Sequence, residues 1–557
     1  MKFVHSTSDE VEIRCANFKL FKMTTSCVKS LGGVPTLFVN GKAVPGVAYI
    51  CYFTENNRYK NFGDAGFKLF SMPVFFGRQT INEVSQFPPF MDGIYDNGVH
   101  YEVFDREVKR ILDAVPDAMI FPRVNCSLPR EWEDAHPDEL CDTSRRACFS
   151  SDLWAEETKR LLTDFVRHVQ TADYADNIIG YQIAGGNTEE WFSFDQKGSV
   201  GLRAREKFAA LTGRYYSAND DYTNDREFYD FLSRTVAERI DEFAAHVKGL
   251  VNGEQVVGTF YGYTMECPWG AANHLALGQL LESENVDFIC SPVSYMETRT
   301  FGIDHPCMLP IDSLKLHGKL YFAENDTRTD LSRPPNDQPH YNQPIWYGPD
   351  RATSVEVLKQ HFARALLHGH AMWWFDMWGG WYDCPEYMEF MRSTRNIAEE
   401  ALNCSRASAA QVAVFIDEKA MLTYKAMDEA YKFRKALGLM GAAYDIYLVG
   451  DYEAVKSKYK FCIFIKPTAT EPMTAAIDNR SCPYIVITDK NCRISSSELR
   501  SFIRHAGVPI RSEWDAVVYE TESHIFIGGT EAPLVYDGET ETVLDGIGSI
   551  GRLYRKK

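Results

Sequence analysis

The chain of 557 residues carries a formal net charge of −18, and 45% of its residues are hydrophobic. This length accommodates two to four domains with at least one large core, and the negative charge disfavours binding to nucleic acid or to an anionic membrane surface. No stretch approaches the ~20 apolar residues that span a bilayer, and the 14 cysteines are scattered without a CxxC pair. These features predict a cytoplasmic protein with reduced thiols, no membrane segment and no metal cluster.

The first elements form a β-rich lead-in, with strands expected at 11–14 and 36–39 and a turn at Asn40-Gly41. From residue 47 onward, apolar runs of strand length alternate with segments of helical spacing. The predicted strands are 47–53, 68–74, 118–124, 178–184, 255–260, 286–290, 319–323 and 371–375. The predicted helices include 101–114, one starting at 152, 228–251, 274–284, 311–317 and 355–367.

Eight strands alternating with helices predict a (β/α)8 barrel, also called a TIM barrel, with its lead-in over residues 1–402. A doubly wound sheet is the alternative, but no G-x-G-x-x-G sequence follows the first strand. Beyond residue 403, short strands and helices predict a small, flavodoxin-like α/β domain over 403–512. Strands and turns alone then predict a small antiparallel β domain over 513–557, with strands at 516–519, 524–527 and 534–536.

The first candidate site follows the fourth barrel strand, where two glycines precede Asn187-Thr188-Glu189-Glu190-Trp191. A carboxylic acid packed against an indole is desolvated, which raises its pKa and suits a general acid near neutral pH. The alternative is a helix N-terminus, in which Asn187 or Thr188 is the cap and the two glutamates interact favourably with the helix dipole.

The second candidate is Glu324, at the end of the seventh predicted strand. Taken alone, it could equally be half of a buried ion pair with Arg328 or Arg299. However, the carboxyl ends of barrel strands share one face, so acids after strands four and seven are expected to lie across one pocket. Two carboxyls flanking a glycosidic bond are the requirement of glycoside hydrolysis, and a gap of ~5–5.5 Å makes it retaining.

On this reading Glu324 is the nucleophile, and the acid beside Trp191 is the general acid. A tryptophan-rich stretch ends the eighth strand and continues past it, with Trp373, Trp374, Asp376 and Trp378. The tryptophans are expected to stack on sugar rings and Asp376 to accept hydrogen bonds from sugar hydroxyls. The alternative is an aromatic plug between the barrel and the loop. Weaker candidates at other strand ends include Tyr261 and Tyr263. The predicted substrate-binding set is Arg123, Asn125, Asn187, Glu189, Trp191, Tyr295, Trp373, Trp374, Asp376 and Trp378.

At these residues the chain resembles the clan A glycoside hydrolases, and within them the family 42 β-galactosidases and divergent relatives that include β-mannosidases. The resemblance covers most of the chain through the order barrel, flavodoxin-like domain, small β domain. It implies that Glu190 is the acid/base and Glu324 the nucleophile, and that the middle domain forms a homotrimer. The clan usually has Asn directly before the acid/base, whereas here Thr188 and Glu189 follow Asn187, so Glu189 is a rival acid.

The expected function is a retaining β-glycosidase that needs no cofactor and acts on small carbohydrate substrates, with β-galactosidase first and β-mannosidase next. The competing hypothesis is a non-catalytic carbohydrate-binding or scaffolding barrel that has kept the aromatic cleft. A nucleotide-dependent enzyme built on residues 403–512 is disfavoured, because that region lacks a phosphate-cradling loop.

Overall fold

The computed structural model describes most of the chain. The described residues are 24–78, 93–186, 189–195, 197–222, 225–266, 274–294, 301–304, 308–332, 350–377, 379–422, 432–529, 539–544 and 551–557. Outside them lie the strands predicted at 11–14 and 534–536 and three predicted site residues, Asn187, Tyr295 and Trp378. Within the described residues, no helix combines the length and the apolar character needed to cross a membrane.

The strands group into four sheets. In chain order they are β1 (Ser26–Leu31), β2 (Val34–Val39), β3 (Lys42–Ala43), β4 (Val47–Ile50), β5 (Leu69–Phe75), β6 (Met119–Asn125), β7 (Gly180–Ala184), β8 (Val256–Phe260), β9 (Phe288–Pro292), β10 (Leu320–Asn325), β11 (Ala371–Phe375), β12 (Val412–Ile416), β13 (Tyr444–Leu448), β14 (Phe461–Ile465), β15 (Tyr484–Ile487), β16 (Val517–Glu520), β17 (His524–Gly528), β18 (Thr540–Leu544) and β19 (Gly551–Lys556).

Eight parallel strands, β4 to β11, close into a barrel at the centre of the chain. They follow one another in chain order, and β11 returns to pair with β4. Every residue of β5, β7 and β8 is buried, as expected for parallel strands covered on both faces. The (β/α)8 prediction and all eight predicted strands are confirmed, with shifts of up to three residues at their ends.

Helices cover the outside of this barrel and pack on the sheet that follows it. They are α1 (Tyr59–Asp64), α2 (Glu102–Ala114), α3 (Arg130–Ala135), α4 (Asp152–Thr171), α5 (Leu202–Thr212), α6 (Arg226–Leu250), α7 (Leu277–Leu281), α8 (Ile311–Leu316), α9 (Arg351–Leu367), α10 (Pro385–Ala401), α11 (432–438), α12 (Tyr452–Val455), α13 (Glu471–Asp478) and α14 (Ser496–His505). The helix starting at 152 is confirmed, and Ser151 caps it by accepting from the Trp154 amide. The helix predicted at 274–284 is shorter than expected and spans only α7.

Large aromatic side chains fill the barrel interior. Phe322 packs against Phe121, Phe288 and Trp373 with ring centroids 5.5, 5.3 and 5.0 Å away. Such a packed interior closes the barrel as a solid core, so any pocket must lie above it, at a barrel end. Trp373, in the middle of β11, is the register partner of Glu324 on β10.

Three smaller sheets accompany the barrel. The first is an antiparallel sheet, β1-β2-β3, in which Asn40 and Gly41 make the β2–β3 turn with φ of 49° and 76°. The second is a parallel sheet of order β13-β12-β14-β15, and the third an antiparallel sheet of order β16-β17-β19-β18. These two sheets confirm the predicted α/β and β folds of the regions after residue 403.

Asp304, in the segment after β9, joins the barrel to both later sheets. It is fully buried and accepts hydrogen bonds from Tyr444 on β13 at 2.6 Å and Tyr519 on β16 at 2.7 Å. Arg364 of α9 lies 3.3 Å from the same carboxylate. Although burial acts to raise the pKa of Asp304, Arg364 and the two phenols hold it below its ordinary value.

Asp304→Asn is expected to lower the free energy of unfolding by about 3–5 kcal/mol, because asparagine carries no charge to pair with the buried Arg364. Since the folded pKa of Asp304 is lowered, its contribution to stability is present above the unfolded value and is lost as the pH falls through the folded one. Urea unfolding at neutral pH measures the loss. Asp113→Asn, in an exposed pair with Lys109, is the matched control and should cost under ~1 kcal/mol. Equal midpoints for the two variants would contradict a joining role.

Candidate active site

The two candidate carboxylate segments lie at the same end of the barrel. Glu324 is the penultimate residue of β10, and its register partners are Trp373 on β11 and Pro292 on β9. Glu189 and Glu190 follow β7, three strands before β10 in the barrel order. Both segments therefore stand at the carboxyl ends of their strands, where a barrel of this kind places its chemistry.

Arg123 of β6 connects the two segments. Its guanidinium is fully buried, with Nη2 2.7 Å from Glu324 Oε2 and Nη1 3.4 Å from Glu189 Oε2. Arg123 also donates to the Tyr52 hydroxyl, and that hydroxyl donates to Glu189 Oε2. Two acids that lie 135 positions apart in the chain thus share one cation at the carboxyl end of the barrel.

Glu324 lies in surroundings that favour its anion at one oxygen. Oε2 accepts from Arg123 and from the Trp373 indole N–H at 3.1 Å. On balance the pKa of Glu324 is raised, because burial and the Asp326 charge outweigh the opposite effects of Arg123 and Trp373. Of the two partners expected from the sequence, Arg299 lies outside the described residues, and the Arg328 guanidinium lies over the Trp381 ring, 5.4 Å from its centroid. The ion pair that Glu324 makes within the described part of the chain is with Arg123.

Glu189 is the more deeply buried acid of the β7 segment, with 2% of its surface exposed. Burial raises its pKa to about 7 and the Glu324 charge adds to this, against the effects of Arg123 and Tyr52. Its Oε1 is buried and has no hydrogen-bonding partner among the described residues. An acid with such a pKa is partly protonated near neutral pH and can donate a proton.

Glu190 contacts a different part of the barrel end from Glu189. It is 5% exposed and accepts a hydrogen bond from the Tyr263 hydroxyl, in the segment after β8. The backbone there is held by His274, whose Nδ1 accepts from the amides of Gly262 and Tyr263, both at 3.2 Å. Burial lowers the pKa of His274 to about 3, so this imidazole stays neutral.

The backbone between β7 and these acids turns back on itself. Glu189 and Trp191 have positive φ angles of 67° and 60°, and the Trp191 amide donates to the Gly185 carbonyl at 2.9 Å. Non-glycine residues rarely adopt this conformation, and it is concentrated at functional sites. The helix N-terminus considered as an alternative is not present in the described residues, since the next helix, α5, begins at Leu202.

Trp191 packs in the core, contrary to the predicted substrate contact. Its ring is fully buried against Phe149 and Trp154, and its N–H donates to the Ile183 carbonyl at 3.3 Å. A Cβ at Gly185 would lie 2.6 Å from the indole, so only glycine fits there. Trp191 therefore anchors the segment that carries Glu189 and Glu190 to the hydrophobic core.

Strand alternation separates the two tryptophans of β11. Trp373 points inward to Glu324, whereas Trp374 points outward and packs against Tyr382 and Phe390 under α10. The prediction that both are sugar platforms is therefore corrected for Trp374. Asp376, just after β11, also has partners other than the sugar hydroxyls that the sequence predicts.

Asp376 holds its own loop. Its carboxylate accepts from the amides of Gly380 at 3.0 Å and Trp381 at 2.9 Å and from the Tyr49 hydroxyl at 2.9 Å. Burial raises its pKa to about 6. Two of these donors belong to the loop itself and the third to β4, so this carboxylate shapes the site. The sequence had predicted instead that it accepts from a sugar hydroxyl.

Two polar side chains position the acid loop itself. Asn125 donates to the Gly186 carbonyl at 3.2 Å, and so links the ends of β6 and β7. Arg146 is buried and donates to the carbonyls of Phe192, Ser193 and Phe194, which come one residue after the two glutamates. Asn125 was predicted to bind substrate, and Arg146 was not predicted at all, because nothing in its local sequence indicates a long-range carbonyl cradle.

No group of three or more His, Cys, Asp and Glu side chains suited to a metal ion occurs in the described part of the chain.

Comparison with known proteins gives matches only among solved structures. No family model matches the sequence, and no curated protein shows significant sequence similarity. Solved structures do match. A β-galactosidase from the psychrophilic Marinomonas ef1 has a TM-score of 0.63 at 12% identity, covering 92% of this chain and 100% of its own.

Two further matches extend over the same span. A β-galactosidase from Bacillus circulans sp. alkalophilus has a TM-score of 0.58 at 10% identity, covering 92% of this chain and 99% of its own. An exo-carrageenase of family GH42 from Bacteroides ovatus has a TM-score of 0.55 at 11% identity, covering 96% and 86%. These likenesses confirm the predicted resemblance at the level of the fold, through almost the whole chain.

Proposed function

We propose that this barrel is a retaining β-glycosidase in which Glu324 is the nucleophile. The observation that carries the proposal is the shared guanidinium: Arg123 contacts both Glu324 and Glu189 at the carboxyl end of the barrel. The two acids have different surroundings, as paired acid and nucleophile require. The fold likeness to glycoside hydrolases supports the same reaction class.

In the first step, Glu324 would attack the anomeric carbon while the acid protonates the departing glycosidic oxygen, giving a glycosyl ester and a free alcohol. Arg123 and Trp373 hold the attacking carboxylate in place before the step. In the second step, the deprotonated acid takes a proton from water, which attacks the same carbon, releases the sugar and frees Glu324.

The electrostatics of the pair support this change of role. The negative charge of Glu324 is one of the causes that raise the pKa of Glu189. Ester formation removes that charge, so the pKa of Glu189 would fall once the intermediate exists. An acid in the first step thereby becomes a base in the second without any movement of the backbone.

We assign the acid/base role to Glu189, ahead of Glu190, which the sequence resemblance prefers. Glu189 contacts Arg123, the same cation that pairs with Glu324, and its pKa is raised to about 7. One of its buried oxygens accepts no hydrogen bond among the described residues. Glu190 instead accepts from Tyr263, and it would then orient substrate or the Tyr263 hydroxyl.

A β-galactoside is the proposed substrate and a β-mannoside the next, in line with the sequence resemblance and with the β-galactosidase names of two matched structures. We further propose that the middle domain forms a homotrimer, as the family resemblance implies, and that the protein is cytoplasmic.

A panel of aryl β-galactoside, β-mannoside, β-glucoside and β-fucoside tests the function. We expect the galactoside to be hydrolysed fastest, and proton NMR to detect the β-anomer of the sugar as the first product, since double displacement retains configuration. Fastest release from the mannoside would change the sugar but not the reaction. Absence of hydrolysis throughout, with measurable binding of the free sugars, would favour the non-catalytic binding barrel instead.

A further inference from the structure

Two thiols of the middle domain lie in contact, far along the chain from the carboxylate pocket. Cys462 is the second residue of β14, and Cys482 precedes β15, the neighbouring parallel strand. Their sulfur atoms are 3.3 Å apart. The Cys462 amide also donates to the Pro483 carbonyl at 3.0 Å, which fixes the backbone beside the pair.

This arrangement is close to that of a disulfide. A disulfide has sulfur atoms about 2.0 Å apart and joins neighbouring backbones without rearranging them when the Cβ atoms already face each other. The two sulfurs, 3.3 Å apart, are already in contact, and only about 1.3 Å separates this distance from that of the bond. Cys492, in the same domain, differs: its sulfur lies 3.6 Å from the Asp489 carbonyl oxygen.

Accessibility and charge distinguish the two sulfurs. Cys462 is completely buried, whereas Cys482 is partly exposed. The hydrogen bond from the Cys462 thiol lowers the pKa of Cys482 against the effect of burial, and the pKa of Cys462 is raised by the same contact and by its own burial. Cys482 is therefore the sulfur that reaches solvent and that more readily becomes a thiolate.

We propose that Cys462 and Cys482 form a reversible disulfide when the protein meets hydrogen peroxide. The Cys482 thiolate attacks one peroxide oxygen, the O–O bond breaks, and the departing hydroxide takes a proton to become water. Cys462 then attacks the sulfenic sulfur, and the sulfenic hydroxyl leaves as a second water with the Cys462 proton. Two thiols and one peroxide thus give one disulfide and two waters.

The bond would fasten a sheet edge. Within the described residues, β15 is the last strand of its sheet and is bonded to β14 alone, and it carries Tyr484, which is 36% exposed. An edge strand with exposed backbone groups is the part of a sheet that frays or pairs with another chain. A covalent link at its entry would hold it to β14. This site does not depend on the proposed glycosidase reaction.

Peptide mapping of the full-length protein tests the proposal. Trypsin cuts after Lys460, Arg480 and Lys490, so the two cysteines fall on separate peptides, 461–480 and 481–490. After peroxide treatment of the folded protein, alkylation of free thiols and non-reducing digestion, we expect these peptides to appear joined, at their summed mass less two hydrogen atoms. Dithiothreitol should separate them.

Matched variants control the experiment. Cys482→Ser should abolish the joined peptide and leave Cys462 alkylated, whereas Cys492→Ser should keep it. Recovery of both wild-type peptides alkylated, or of Cys482 only as sulfinic or sulfonic acid, would overturn the proposal. So would joining of either peptide to a different cysteine peptide in its place.

Discussion

Glu324→Gln is expected to lower kcat for an aryl β-galactoside by at least about 10⁴-fold, because an amide cannot form the glycosyl ester. Arg123 and Trp373 both donate to the same oxygen of Glu324, Oε2, so the single amide oxygen of glutamine can still accept from both. The substitution changes no volume, so the packed aromatic floor of the barrel beneath it should remain. Initial rates of aryl alcohol release measure the loss.

A buried carboxyl elsewhere in the barrel gives the matched control for Glu324→Gln. Glu107 of α2 is 2% exposed, accepts from the Tyr59 hydroxyl and has a pKa raised by burial. Glu107→Gln should keep near wild-type kcat, even if it lowers the melting temperature. A matching loss of activity in both variants, or turnover by Glu324→Gln within tenfold of wild type, would remove Glu324 from the nucleophile role.

Covalent trapping gives a second measurement of the same role. A 2-fluoro sugar with a good leaving group should accumulate as an ester, since the fluorine slows the second step. Trypsin releases Glu324 in the peptide 320–328, where the added sugar mass should appear. Labelling of the peptide that contains Glu189 and Glu190 would reverse the two roles.

The barrel could be predicted from the sequence because its strands are continuous apolar runs at regular intervals. Their ends were less predictable, since apolar character continues past the last ladder hydrogen bond. The first strand was expected to reach residue 53 but ends at Ile50, and Tyr52 beyond it turns into the pocket to contact Glu189 and Arg123. Because Tyr52 lies within the continuous apolar run, the sequence does not distinguish this site residue from the core residues of the strand.

The direction of the side chains was the second feature that could not be predicted from the sequence. Trp373 and Trp374 are equivalent as letters, yet only the register of β11 decides that Trp373 faces Glu324 and Trp374 faces α10. Arg123 was found as a candidate, but its role as the cation shared by two acids depends on the barrel closing. Arg146 was missed because its three carbonyl partners lie 46 to 48 positions away.

Glu189→Ala is expected to lower kcat/KM for glycosides with poor leaving groups by about 10²–10⁴-fold, because the leaving oxygen would depart unprotonated. Substrates with activated aryl leaving groups should form the intermediate normally and then stall. Azide should restore turnover of those substrates by attacking the intermediate in place of activated water, giving a glycosyl azide. Glu190→Ala is the matched control, one residue away, and should show no azide rescue.

The pH profile separates the two neighbours independently. Since the pKa of Glu189 is raised to about 7, this acid is protonated below that pH and loses its proton above it. Wild-type kcat/KM should therefore fall as the pH rises above about 7, and Glu189→Gln should lose this alkaline limb. If the limb persists in Glu189→Gln and disappears in Glu190→Gln, and azide rescues Glu190→Ala, then the acid is Glu190. In that case the hydrogen bond from the Tyr263 hydroxyl positions the acid Glu190, and Glu189 holds Arg123 beside Glu324.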